Sequence, residues 1–237
     1  MPGLKERYRP DVVVANGENS AGGIGITERT AKGLFEAGVD VITTGNHVFR
    51  HREVYTFLDT NDNIVRPANY LETNPGRGHT VVEKKGVRWG FVNLSGSVFL
   101  HAARPPFHVI DEVLTRLDGA ADLIVVDFHA ETTSEKVAMG WHLDGRVLLV
   151  FGTHTHVPTA DARVLPGGTA YVTDVGMTGA RASVIGVKRE QALERFITDL
   201  PVRFETAKED PWVMGCVVES DERGLAGSIE LVMVPAA

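Results

Sequence analysis

The sequence predicts an α/β sandwich of mixed sheets flanked by helices. Strands alternate with helices in the first half of the chain and hairpins accumulate in the second. Four apolar runs also end in clusters of Asn, Glu or His, the pattern of strands that deliver ligand-binding loops to one sheet edge. No repeat, low-complexity tract or Gly/Ser linker interrupts residues 1–237, so they read as one domain.

Asp11-Val12-Val13-Val14-Ala15 is a β-branched run closing on Asn16-Gly17, a strand followed by a loop. From Thr27 to Ala37, Ala31, Leu34 and Phe35 recur at helical spacing, with Thr27 as N-cap and Gly38 as the stop. Val39 to Thr43 forms the next strand and Glu53 to Leu58 a short helix. Thr80 to Glu83 and Val87 to Leu94 make a β-hairpin about Lys84-Lys85-Gly86. Ile110 to Leu117 is helical, Leu123 to Val126 a buried strand, Glu131 to Met139 a helix and Val147 to Phe151 a strand. Pro166-Gly167-Gly168 turns the chain into a strand over Thr169 to Thr173, and Lys188 to Ile197 is a late helix. Trp212 to Glu219 and Ser228 to Val234 pair antiparallel around Asp221-Glu222-Arg223-Gly224.

Composition narrows the function. With 43% hydrophobic and 23% charged residues, the chain has the make-up of a soluble globular protein. A net charge of −7 without a Lys/Arg block offers no footprint for duplex nucleic acid, while a small phosphorylated ligand stays open. No apolar run approaches the roughly 20 residues that span a bilayer, and the N-terminus has no apolar signal core. Cys216 is the single cysteine, so no intrachain disulfide forms and a cytoplasmic location is expected. Exposed sheet edges and apolar loops leave room for a homo-oligomer of unspecified order.

Chemistry concentrates at the strand ends. Gly152-Thr153-His154-Thr155-His156 places two imidazoles two residues apart, and on an extended segment both would face one site. Asn16-Gly17-Glu18-Asn19 is an ordinary turn by dipeptide preference, yet Glu18 is a hard donor able to bridge two cations and Asn19 adds a neutral oxygen. In Gly45-Asn46-His47, Asn46 can ligate and His47 can donate a proton from beside the metals; the plain alternative is a polar strand end with a surface histidine. In Asp127-Phe128-His129, His129 reads either as a ligand or as a hydrogen-bonded near-core residue. His51, Glu131 and Glu135 read as solvated surface, with Glu131 near enough to support a ligand. Together these side chains make a mixed N/O donor set without thiolates, as in two-metal phosphatases and nucleases. In such sites a metal-bridging hydroxide attacks phosphorus, the cations stabilise phosphoryl charge and a histidine protonates the leaving oxygen.

These loops, with Arg66-Pro67-Ala68-Asn69, Met139-Gly140-Trp141, Leu143-Asp144-Gly145-Arg146 and Thr173-Asp174-Val175-Gly176-Met177-Thr178-Gly179, closely resemble the YmdB-like branch of the calcineurin-like metallophosphoesterases, from Leu4 to the C-terminus. The resemblance implies a four-layer α/β/β/α metallophosphoesterase sandwich and phosphodiesterase activity on cyclic nucleotides, the 2′,3′-cyclic kind and in extension the 3′,5′-cyclic kind. It implies two metal ions, Fe or Mn first and Zn or Mg after them. Glu18 would bridge them, Asn19 and His156 would serve the first, Asn46, His129 and His154 the second, and His47 would be the general acid. Members of that branch begin with an apolar strand ending in Gly-Asp-Val, whose aspartate serves the first metal. This chain starts at Met1-Pro2-Gly3-Leu4, at a point matching the helix after that strand. The expectation is a fold short of one strand and part of a helix, explained first by a start codon assigned too late and second by a chain that binds a single metal. Two other functions fit the same residues: a non-catalytic scaffold with an incomplete metal site, and a phosphomonoesterase using the same metals. Phe49, Phe99, Trp141 and Arg66 are candidates for the substrate pocket wall.

Overall fold

The computed structural model describes residues 2–236. A short helix α1 (Pro2–Tyr8) leads into β1 (Val14–Asn16), α2 (Glu28–Glu36), β2 (Val41–Thr43), α3 (Val54–Thr60) and β3 (Ile64–Val65). The hairpin β4 (His79–Lys84) and β5 (Val87–Ser95) is followed by α4 (Pro106–Leu117), β6 (Leu123–His129), α5 (Thr133–His142) and β7 (Leu149–Thr153). Then come β8 (Arg163–Val164), β9 (Ala170–Val172), β10 (Gly179–Ala180), α6 (Arg189–Thr198), β11 (Pro211–Ser220) and β12 (Ala226–Pro235).

Local chemistry explains the boundaries. Thr27 caps α2 reciprocally with Thr30, and Gly38, at φ 94°, ends the turn after it. The hairpin turns on Lys85 and Gly86, both at positive φ (52° and 79°), the two-residue turn whose twist matches the strands. Several boundaries differ from the periodicity, and three of the shifts have a local cause. Helix α4 starts at Pro106, since proline is pre-set for a first turn. Helix α5 starts at Thr133, after Glu131 has been drawn towards the site. Asp11 to Val13 stay outside the ladder, and Asp11 instead meets Lys85 at 2.6 Å.

The strands form a parallel sheet β1-β2-β3, a mixed sheet β4-β5-β6-β7-β9-β8 and an antiparallel sheet β10-β11-β12. Period-two alternation sorts the large sheet's side chains. Val92, Leu94, Val126, Phe128 and Val150 pack outward against Val109, Ile110, Val113 and Leu117 of α4 and Met139 of α5. Phe91, Val125, Leu149, Phe151 and Val172 point inward against Val14, Val41, Cys216, Val218, Ile229 and Leu231. Ile42 and Ile64 turn the other way, onto Ala31, Leu34, Phe57 and Leu58 of α2 and α3. The layer order is therefore α4/α5, large sheet, two smaller sheets, α2/α3, the four-layer sandwich expected.

At the amino ends of β1, β5 and β7 the inner layer opens into a cavity of about 520 Å³, lined by α1, Val12, Val14, Phe91, Leu149 and β11. Among the described residues no strand pairs with the outer edge of β1.

Two glycines separate close packing from open space. A Cβ at Gly152 would lie 1.7 Å from the Thr173 carbonyl oxygen, whereas at Gly33, inside α2, nothing lies within 4 Å. Gly152→Ala should destabilise by about 3 kcal/mol or more, and Gly33→Ala should stabilise by about 0.5–1 kcal/mol. Urea unfolding of both variants checks the contrast.

Candidate metal centre

The same alternation that builds the inner core delivers polar side chains to its carboxyl end. After Val14, Val41, Val125 and Phe151, the next inward positions are Asn16, Thr43, Asp127 and Thr153. Asp127 is fully buried and accepts from Asn16 Nδ2 (2.9 Å), Thr43 Oγ1 (2.5 Å) and Thr153 Oγ1 (2.7 Å). Burial pushes its carboxyl upward, and nearby His129 with these donors opposes the push.

Thr153 gives its one proton to Asp127, so it accepts from His129 Nδ1 at 2.9 Å. His129 Nε2 is thereby turned to a cluster: Glu18 Oε2 at 2.9 Å, Asn46 Oδ1 at 2.9 Å and His154 Nδ1 at 3.0 Å. His154 Nε2 lies 2.9 Å from Glu131 Oε2, which leaves its Nδ1 as a lone pair. Burial, reinforced by the His129 charge, holds His154 down at about 4, so it is neutral at neutral pH. Glu18 is 2% exposed; burial alone would raise its carboxyl, yet contacts with His129 and His47 hold it well below the usual carboxylate range.

This geometry tests the fit of a metal. A proton on His129 Nε2 can serve one of its three neighbours, while a cation serves all of them. Donor atoms of Glu18, His129 and His154 lie within 4.8 Å of one another. Imidazole nitrogens with carboxylate and amide oxygens suit Fe, Mn or Zn. The residues fit.

His47 sits beside this cluster. Its backbone N–H donates to Glu18 Oε1 (2.7 Å), its Nδ1 is 3.3 Å from the same oxygen, and Asn46 Nδ2 meets its Nε2 at 3.2 Å. Glu18 raises the His47 pKa against a partial burial penalty. Asn19 and His156 form a separate pair, Asn19 Nδ2 to His156 Nε2 at 3.0 Å, with His156 Nδ1 donating to the Ile185 carbonyl at 2.8 Å. Asn19 Oδ1 is buried without a partner. The structure thus brings Glu18, Asn46, His129 and His154 together and sets Asn19 with His156 beside them.

The extended reading of the double-histidine loop is corrected. β7 ends at Thr153, and His154 (φ 98°) and His156 (φ 67°) both lie in the left-handed region, so their separation comes from strained backbone rather than strand alternation. What holds that strain is a buried ion pair. Lys136 meets Asp174 at 2.7 Å, each 1% exposed, and Asp174 Oδ2 also accepts from Thr155 N (3.1 Å) and Thr155 Oγ1 (2.8 Å). Lys136 gave no signal in the sequence, because a lysine on an amphipathic helix reads as solvated face. Asp127, Asn16 and Asp174 lay inside recognised motifs without a role.

Two surface assignments and one pocket-wall assignment change as well. Glu135 accepts from Ser97 N (2.8 Å) and Val98 N (3.4 Å), so it fastens a loop instead of facing solvent. His51 is bonded to the Ile24 carbonyl at 2.9 Å, ahead of α3. Arg66 is buried and serves the carbonyls of Pro67, Leu71, Asn74 and Pro75, which removes it from the pocket wall. Trp141 lies half exposed on α5, whereas Phe49 and Phe99 line a cleft beside Asn46.

Comparisons with known proteins show the family and the fold of the chain. A family model described as "YmdB-like protein" matches residues 1–232. The chain is 46% identical over 223 residues to a 2′,3′-cyclic-nucleotide 2′-phosphodiesterase of Bacillus subtilis (strain 168), covering 94% of this chain and 84% of that one. It superposes with a TM-score of 0.92 and 42% identity on a hypothetical protein from Thermus thermophilus, covering 100% and 91% of the two chains. A Mycoplasma pneumoniae structure described as a novel phosphatase gives a TM-score of 0.91 at 37% identity, covering 99% and 85%.

Removing the ammonium in Lys136→Met should cost about 3–5 kcal/mol by leaving the Asp174 carboxylate buried and unpaired, and Lys136→Met/Asp174→Leu should recover part of it in urea unfolding. His154 is held at about 4 against 6.5 when free. Its contribution to stability is therefore whole above pH 6.5 and lost as pH falls through 4. Urea midpoints of chelator-treated protein should drop across that window, and less steeply in His154→Gln; parallel profiles would clear His154 of the effect.

Proposed function

The chain belongs to the YmdB-like protein family, and from that membership and the donor geometry we propose that it is a metal-dependent phosphodiesterase acting on cyclic nucleotides, 2′,3′-cyclic esters first and 3′,5′-cyclic esters as a further class. Its named relatives are a phosphodiesterase and a phosphatase, and the chain is a hydrolytic phosphoesterase. The observation that carries the finer reading is the convergence of the Glu18, Asn46, His129 and His154 donor atoms beside a partly exposed His47. The whole chain acts as one metallophosphoesterase domain.

Asn46, His129 and His154 would hold one metal ion, Asn19 and His156 a second, and Glu18 would serve both, with Fe or Mn first and Zn or Mg after them as the family resemblance implies. When bound, the metals supply Lewis-acid activation of water and neutralise charge on the phosphoryl oxygens. The protein's own groups do the rest. Thr153 and Asp127 fix the His129 tautomer, and Glu131 fixes that of His154. His47 turns its buried Nδ1 towards Glu18 Oε1, 3.3 Å away, and its Nε2 towards the Asn46 amide, and the carboxylate raises its affinity for a proton. Glu18, His129 and Asp127 are shut from solvent, so the 36%-exposed His47 side chain is the one placed to hand a proton to a leaving oxygen. Among the described residues no helix is long and apolar enough to cross a membrane. With its lone Cys216, the enzyme is assigned to the cytoplasm.

Mn²⁺- or Fe-loaded protein should cleave 2′,3′-cyclic AMP in preference to 2′- or 3′-AMP, and chelation should abolish turnover. His47→Ala should lower kcat by about 100- to 10,000-fold with metal content per chain unchanged, whereas His154→Ala should lose metal. Metal-replete protein inactive on every phosphate ester would overturn the reading in favour of a scaffold; preference for monoesters would make it a phosphomonoesterase.

A further inference from the structure

The Asn46 side chain belongs to two features at once. Its Oδ1 joins the donor cluster at His129 Nε2, 2.9 Å away, and its residue also lines a separate cleft of about 420 Å³. Phe49, Tyr70 and Phe99 supply aromatic surface to that cleft, and Asn74 and His101 add polar side chains. Phe49 and Tyr70 form one wall, their ring centroids 6.2 Å apart, and Phe49 is braced edge-on by Tyr55 at 5.5 Å.

Phe99 also lines this cleft, and its conformation has no packing explanation. It is 85% exposed, and its φ of 63° is one that a bulky residue adopts only at a conformational cost. The loop that presents it is fixed, since Glu135 binds the backbone N–H groups of Ser97 and Val98. The facing segment is fixed too, by the Arg66 guanidinium bonded to the carbonyls of Pro67, Leu71, Asn74 and Pro75. A strained aromatic held out from a pinned loop, in one cleft with an aromatic wall and with Asn46 of the donor cluster, matches what a planar heterocycle joined to a phosphate requires.

We propose that this cleft binds the nucleobase of the substrate, with Phe99 stacking on its face. The inference rests on the phosphodiesterase reading only in placing the phosphate at the donor cluster. Stacking tolerates any base, since every base has a π-face, so the contact raises affinity for nucleotides as a class without selecting among them.

The test is a binding measurement, independent of turnover. Adenosine 2′-monophosphate and inorganic phosphate are titrated calorimetrically into the Mn²⁺-loaded protein, as wild type, Phe99→Ala and Phe99→Trp. An 85%-exposed side chain can be truncated with little effect on the fold. Phe99→Ala should weaken nucleotide binding about tenfold, leave phosphate binding unchanged, and Phe99→Trp should restore the nucleotide. Nucleotide affinity indifferent to Phe99, or a parallel loss for nucleotide and phosphate, overturns the proposal. If the binding pattern holds in a protein inactive on phosphodiesters, the cleft stands and the catalytic reading falls. Activity with Phe99-insensitive nucleotide binding means the reverse: the catalytic reading stands and the cleft falls.

Discussion

The buried carboxylate of Asp127 is the constraint on which the rest of the site depends. It sits on β6 in the large sheet and draws hydrogen bonds from Asn16 on β1, Thr43 on β2 and Thr153 on β7. Two sheets that meet mainly through apolar contacts are thereby joined at their carboxyl ends by directional bonds. Burying a carboxyl is costly, and the three donors offset that cost. The network also carries orientation outward. Because Thr153 donates to Asp127, it must accept from His129, and so the imidazole presents Nε2 to Glu18. A core residue that touches no substrate thus sets the face of a ligand.

A second buried charge does the same for the histidine loop. His154 and His156, both at positive φ, would relax if the chain between them were free. Thr155 is instead tied by both backbone and side chain to Asp174, whose charge Lys136 balances. The ion pair is best understood as supporting a geometry, since a buried pair adds little net stability over apolar groups of similar size. Gly152 completes the arrangement by letting the Thr173 carbonyl approach where a side chain would stand.

Much of this was legible in the chain, for identifiable reasons. The ends of β1 and β2, at Asn16 and Thr43, were readable because apolar runs stop abruptly at polar residues, whereas β6 runs on to His129 and β7 to Thr153, past the apolar runs. Helix α2 announced itself by cap and stop, and the β4-β5 hairpin by Lys-Gly at its turn. The two-residue strands β3, β8 and β10 were not legible, since two residues carry no period. Donor identities survived, while their support did not. Lys136 and Glu135 look solvated in sequence, and Arg66 looks like pocket wall, because a long charged side chain gives no sign of turning inward to meet backbone or a carboxylate. The extended reading of residues 154–156 failed on a similar ground: alternation is a property of strands, and this strand stops one residue too early.

The inner layer is closed at one end by directional bonds and at the other by apolar contact around a cavity. Hydrogen bonds fix distance and angle, whereas apolar contacts fix neither. The ångström-scale spacing of the ligands is therefore set at the end of the layer where the fold places its directional interactions, and the apolar remainder is left to fill volume.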